Sequence, residues 1–219
     1  MDDGAKDVET SIRIIRELKK QGVSKVVATP HFYSHREDIE LFIKRRKVAY
    51  ESLEQHWEEN MPAMLFGAEV YLERGISELE HLHDLCITDS NYILLEFPYD
   101  KMKDWMIEEI NNITYKFEVT PILAHIDRYL DLFEKSDYDK IFEETECIYQ
   151  INNTALMSRN SLKFVLKLIK KDFPILFGSD THDMGKYSPN FNSNIKILRA
   201  KLGERGFAEL HNKIHNLVL

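Results

Sequence analysis

Short apolar, β-branched runs alternate along this chain with segments of helical period. The runs are Val23–Ala28, Ala63–Phe66, Tyr92–Leu95, Thr120–Leu123, Cys147–Ile151 and Ile175–Phe177. Between them, amphipathic helices are expected over Val8–Lys20, Glu37–Glu59, Lys103–Lys116, Ser136–Glu144 and Ser161–Lys171. Continuous apolar strands separated by helices form a parallel sheet covered on both faces, either doubly wound or a (β/α) barrel. Pro30, just after one run, and Pro121, at the start of another, both avoid a central ladder position. One place breaks the alternation. The chain opens on Asp2-Asp3-Gly4 and runs straight into a helix, where a (β/α) fold would place a strand.

Length adds little to this picture beyond scale. The 219 residues contain no linker, repeat or low-complexity stretch, so a single domain, 1–219, is expected. Such a chain withdraws about 70% of its unfolded surface from water and needs no disulfide staples. Its two cysteines, Cys86 and Cys147, build no framework and fit a reducing cytoplasm. No apolar run approaches the roughly 18 residues of a membrane span, and the first residues lack the basic start and apolar stretch of a signal peptide. With 29 Lys+Arg against 37 Asp+Glu, the net charge of −8 leaves nothing to neutralise a nucleic-acid backbone. A cytoplasmic protein without nucleic-acid binding or membrane insertion is the expectation.

The chemistry lies at the ends of the apolar runs. Val26-Val27-Ala28 leads to His31, Leu65-Phe66-Gly67-Ala68 to Glu69, and Ile93-Leu94-Leu95 to Glu96. Ile122-Leu123-Ala124 leads to His125, with Arg128 three residues on, and Ile175-Leu176-Phe177 leads to Asp180 and His182. In parallel (β/α) folds the carboxyl ends of all strands face one side, which is where sites are built. Imidazole and carboxylate donors without thiolate suit Mn²⁺, Fe or Zn²⁺ in a hydrolytic role. Two metals about 3.5–4 Å apart need a bridging carboxylate, which Glu69 or Asp180 could supply. Asp180-x-His182 turns two ligands to the same side of an extended segment.

Other candidates carry less. His81-Leu82-His83 follows Glu78-Leu79-Glu80 rather than an apolar strand, so a solvated face is expected there. His211 and His215 share a helix face but lack the glutamate of a zincin motif. Neither cysteine has an arginine six residues on, which excludes a cysteine-nucleophile phosphatase loop. The dispersed glycines form no phosphate-binding loop or dinucleotide fingerprint. The aromatics of Glu37–Glu59 and around Phe32-Tyr33 are expected to pack a core or a rim.

Six blocks in order carry a resemblance. They are Asp2-Asp3-Gly4-Ala5-Lys6, Ala28-Thr29-Pro30-His31, Gly67-Ala68-Glu69-Val70-Tyr71, Leu95-Glu96-Phe97, Ala124-His125-Ile126-Asp127-Arg128-Tyr129 and Gly178-Ser179-Asp180-Thr181-His182. Together they resemble the metal-dependent bacterial protein-tyrosine phosphatases of capsule and exopolysaccharide operons, within the polymerase-and-histidinol-phosphatase (PHP) superfamily. The resemblance implies a distorted (β/α)7 TIM-like barrel holding two to three ions, manganese first and iron or zinc as alternatives. It implies that Asp3, His31, Glu69, Glu96, His125, Asp180 and His182 are metal ligands, that Glu69 bridges, and that Arg128 holds the phosphate. The partner it implies is a phosphotyrosine-bearing tyrosine kinase that controls polysaccharide export.

Two departures qualify that expectation. Relatives precede the Asp-Asp-Gly block with a strand ending in His-x-His. On this resemblance the barrel lacks its first strand and one metal position loses two imidazoles. The positions expected to remain are one served by Glu69, Glu96 and His125 and one served by Asp3, His31 and His182. Relatives also tend to carry an arginine soon after Asp180-x-His182, where this chain has Asp183-Met184-Gly185-Lys186. The implied mechanism is attack of a metal-activated hydroxide on the phosphotyrosine ester, with no protein nucleophile. A PHP phosphoesterase acting on a small phosphate monoester, and a truncated non-catalytic binding relative, are the competing expectations.

Overall fold

Every strand pairing is parallel. The computed structural model of the chain describes residues 3–185 and 188–218. In chain order its elements are α1 (Val8–Lys20), β1 (Lys25–Ala28), β2 (His31–Phe32), α2 (Ile39–Glu54), β3 (Ala63–Phe66), β4 (Glu69–Tyr71) and β5 (Tyr92–Glu96). There follow α3 (Asp104–Phe117), β6 (Thr120–Leu123), α4 (Lys135–Glu144), β7 (Ile148–Asn152), α5 (Arg159–Lys170), β8 (Ile175–Gly178) and α6 (Phe191–Val218). The strands lie in the order β2-β4-β5-β6-β7-β8, with β1-β3 continuing the first pair.

The break between β1 and β2 is local. Pro30 has no N–H to give to a ladder. Its carbonyl still accepts from Glu69 N at 3.0 Å, and Ala28 O accepts from Gly67 N at 2.9 Å. Lys25 faces Ala63 and His31 faces Glu69 at one common offset, so β1/β2 and β3/β4 are two bent strands side by side. Sequential order with every strand parallel agrees with the expected α/β class. Among the described residues, however, the sheet is open, with β1/β2 at one edge and β8 at the other. The described strands do not close into the distorted (β/α)7 TIM-like barrel, lacking its first strand, that the resemblance implies.

Burial is strongest in the middle. All five residues of β7 are buried, and Ile93 and Leu95 of β5 and Leu123 of β6 are sealed from solvent. Helices α3, α4 and α5 cover this region with Ile110, Ile113, Ile141, Val165 and Leu168. The β1 edge has a smaller cluster of its own, in which Ile12 and Ile15 of α1 meet Met61, Leu53 and Trp57.

Helix limits follow their caps. Asp7 accepts from Thr10 N at 2.7 Å and starts α1 where expected. Asp38 accepts from Leu41 N at 2.7 Å, so α2 begins at Ile39 rather than Glu37, and it ends at Glu54 rather than Glu59. The sequence reading had no counterpart for β2, β4 or α6. The first two are two and three residues long, and α6 is kinked at Gly203 (φ 71°, ψ 170°).

Candidate metal centre

The carboxyl ends of the strands deliver their polar side chains to one place. His31 opens β2 and Glu69 opens β4, while Glu96 closes β5. His125 follows β6 and Asp180 follows β8, each two residues beyond its strand. Alternation explains the aim of the first three: Phe32, Val70 and Leu95 go into the core, and their neighbours face the other way. For His125 and Asp180 the backbone itself is bent. Both adopt left-handed conformations, with φ of 30° and 47°. A non-glycine residue held there costs about 1–3 kcal/mol, and such residues gather at functional sites.

The contacts form one connected set. His125 Nε2 lies 2.8 Å from Glu69 Oε1 and 3.3 Å from Glu96 Oε1. His31 Nδ1 is 3.6 Å from Glu96 Oε2, and its Nε2 is 3.6 Å from Asp3 Oδ1. Asp3 Oδ1 is also 3.5 Å from His182 Nε2. Arg128 closes the circle, donating from Nη1 to Glu96 Oε1 at 3.1 Å and from Nη2 to Asp180 Oδ2 at 2.6 Å. All seven expected ligands and Arg128 therefore meet. Two triads present donor atoms within 4.8 Å of one another: Asp3, His31 and His182, and His31, Glu69 and Glu96. The first is the group expected from the sequence. In the second, His31 stands where His125 was expected, with His125 against the same two carboxylates. Asp2 and Lys186 lie outside the described residues.

Electrostatics explain what such a cluster would bind. Four carboxylates gather here: Glu96 and Asp180 pair with the Arg128 guanidinium, while Glu69 lies against His125 and Asp3 against His31 and His182. Burial opposes the charge on Glu96, but His125, His31 and Arg128 outweigh it and hold the carboxyl below its usual range. Burial likewise opposes a charged His125, yet hydrogen bonds to Glu69 and Glu96 push the imidazole up to about 9. This pocket attracts cations. Its imidazole and carboxylate donors suit Mn²⁺, iron or Zn²⁺. His125 Nδ1 is buried with no hydrogen-bond partner among the described residues, so the ring keeps a lone pair or proton unspent.

A supporting layer went unnoticed in the sequence. Asn152, the last residue of β7, donates from Nδ2 to Asp180 Oδ2 at 2.8 Å, and its backbone N donates to Asp127 Oδ1 at 2.7 Å. Thr154 donates from both its N and its Oγ1 to the side-chain Oδ1 of Asn152. Gln150 Oε1 accepts from His125 N at 2.9 Å and so fixes the strained residue. Tyr129 donates to Phe97 O at 2.7 Å, joining the turn after β6 to the loop after β5. The signal was available: Gln150 and Asn152 are amides in an otherwise buried strand, and buried amides need partners.

The residues set aside do not join the site. His81 and His83 are exposed on either side of buried Leu82, and His211 and His215 are exposed on α6. Cys86 and Cys147 are buried free thiols, with Cys147 pushed up to about 12 by burial.

The chain matches the profile of the family described as capsular polysaccharide synthesis, CpsB/CapC, over residues 1–218. It is 27% identical to the tyrosine-protein phosphatase CpsB of Streptococcus pneumoniae, covering 96% of this chain and 90% of that one. It is 24% identical to the tyrosine-protein phosphatase YwqE of Bacillus subtilis (strain 168), covering 93% and 81%. Among solved structures it superposes with a TM-score of 0.79 and 21% identity on one described as YwqE from Bacillus subtilis and CpsB from Streptococcus pneumoniae, unique metal-dependent tyrosine phosphatases. That likeness covers 97% of this chain and 87% of the other.

Proposed function

This chain belongs to the CpsB/CapC family of capsular polysaccharide synthesis, and from that premise we propose that it is a metal-dependent phosphatase that hydrolyses phosphotyrosine. The observation that carries the proposal is the meeting of seven imidazole and carboxylate side chains with one arginine at the strand ends. In this reading Asp3, His31, Glu69, Glu96, His125, Asp180 and His182 hold two to three ions, with Mn²⁺ the first candidate. The ions, when bound, supply Lewis acidity and an activated water.

The chain's own residues do the rest. Arg128 is fastened through two of its N–H groups to Glu96 and Asp180, which leaves further donors of its fork for a phosphoryl group. Its side chain is 38% exposed, so a substrate can reach it. Held by two ligand carboxylates, it meets the charge that grows on the transferring phosphoryl group without having to reorganise. Asn152 and Gln150 keep Asp180 and the His125 backbone in place. Tyrosine leaves as a phenolate with a pKa of about 10, so little general-acid help is needed.

Three further parts complete the reading. The substrate is phosphotyrosine on a tyrosine kinase that regulates capsular or exopolysaccharide synthesis, and the work is done in the cytoplasm. No helix among the described residues is long and apolar enough to cross a membrane. The domain is a single PHP-type unit, 1–219, whose sequential parallel order is that of a barrel wall. The decisive experiment is hydrolysis of p-nitrophenyl phosphate by protein loaded with Mn²⁺, Fe²⁺ or Zn²⁺, with elemental analysis of each sample. Turnover that follows metal content supports the reading. Metal-loaded protein without turnover on aryl phosphates or phosphotyrosine peptides overturns it.

A further inference from the structure

The two strands that open with His31 and Glu69 carry a second pair of side chains one layer farther out. Along the first, Phe32 is buried in the core while His31 and Tyr33 flank it in sequence; along the second, Val70 is buried between Glu69 and Tyr71. Side chains two apart on a strand share a face. Because His31 lies beside Glu69 and Phe32 beside Val70, the next neighbours are Tyr33 and Tyr71. Their rings do meet, with centroids 5.3 Å apart and planes inclined at 43°. The Tyr33 ring also lies 5.6 Å from that of His31, which joins the aromatic layer to the ligand layer.

The pair is held in place. The Arg36 guanidinium sits 4.1 Å over the Tyr33 ring. Glu73, two residues past Tyr71, accepts from both N and Oγ of Ser34 at 2.9 Å, tying together the two segments that leave the tyrosines. Both rings are half-buried, so each keeps surface open to a visitor.

We infer that Tyr33 and Tyr71 form the wall that receives the aromatic ring of the substrate and selects aryl over alkyl phosphates. The inference rests on the phosphatase reading above and adds the residues that would set its specificity. Two residues of strand rise roughly 6–7 Å, the scale of an aryl phosphate from phosphorus to the far side of its ring. A phosphoryl group in the His31–Glu69 layer therefore places its ring in the Tyr33–Tyr71 layer. Phosphoserine would put only a methylene and its backbone there. Inclined tyrosines offer a face and an edge at once, the arrangements that aromatic rings prefer.

The test uses the full chain at matched metal content, verified by elemental analysis because Tyr33 adjoins His31. The ratio of kcat/KM for phenyl phosphate to that for glycerol 2-phosphate is measured for the parent, Tyr33→Ala, Tyr71→Ala and Tyr33→Phe. Each alanine variant should lower the ratio about five- to tenfold, chiefly through KM for the aryl ester, while Tyr33→Phe keeps it within about a factor of two. Ratios unchanged in both alanine variants would overturn the inference. Calorimetric binding of phenylphosphonate against methylphosphonate gives a readout that needs no turnover. If the parent hydrolyses no ester yet prefers phenylphosphonate, and the alanine variants lose that preference, the wall stands and the phosphatase reading falls. If the parent hydrolyses esters and the variants retain the phenyl preference, the wall falls and the phosphatase reading stands.

Discussion

Arg128 is the side chain whose removal separates binding of metal from handling of phosphate. Arg128→Ala removes a donor that cannot ligate a metal, so kcat/KM on p-nitrophenyl phosphate should fall by ~10²-fold while elemental analysis shows unchanged metal. A wild-type rate would take it out of the mechanism. The second residue is glycine for want of space. A Cβ on Gly178 would lie 1.7 Å from Gln150 Nε2 and 2.7 Å from its Cδ, and Gln150 is the group that holds the His125 N–H. Gly178→Ala must push that amide aside, so it should cost roughly 1–3 kcal/mol in denaturant unfolding. It should also weaken Mn²⁺ binding by calorimetry, and an unchanged Kd would show that Gln150 does not position His125. Six of the proposed ligands, His31, Glu69, Glu96, His125, Asp180 and His182, were legible because each follows an apolar run, whereas Asp3 follows none and was expected only from the resemblance. Gln150, Asn152 and Gly178 were not, because their work consists of contacts between strands far apart in sequence.

At the scale of elements, helices with strong caps and clear periodicity were legible. The Asp7 cap and the stripe of Ile12, Ile15 and Leu18 define α1 at the expected limits. Helix α6 escaped because a non-helical Gly203 interrupts its period, so its two halves present no common stripe. Gly203 adopts φ 71° and ψ 170°, a region that is essentially glycine's alone, with no atom within 4 Å of a Cβ built there. Gly203→Ala should therefore act through the backbone alone. It should lower stability by about 1–3 kcal/mol in urea unfolding and leave kcat and metal content as they were. A neutral result would mean that α6 straightens without loss. The short strands β2 and β4 escaped for another reason: two or three residues after a proline or a glycine carry no period to read, and only the neighbouring ladder makes them strands.

For the whole molecule, the clustering of negative charge links metal binding to stability. Four carboxylates are brought together in the folded chain, only two of them paired with Arg128, and a cation that binds only the folded state stabilises it by mass action. Mn²⁺ at about 100 times its Kd should add roughly 2.7 kcal/mol, which is about 5–10 °C in Tm for a chain of this size. A chelator should reverse the shift, and a Tm indifferent to Mn²⁺ would argue against a site formed by folding. The sequence by itself determined the alternation of strand and helix, the α/β class and the residue types at the strand ends, since all of these are properties of local patterning. It did not determine whether the sheet closes, because edges are settled by pairing between distant segments, and among the described residues the ladder stays open at β1 and β8. Nor did it reveal that His31 shares Glu96 with His125, or that Tyr33 stands against Tyr71. Those contacts depend on the register between neighbouring strands, and register is set by tertiary packing, since sliding one strand by a single residue would turn every side chain to the opposite face.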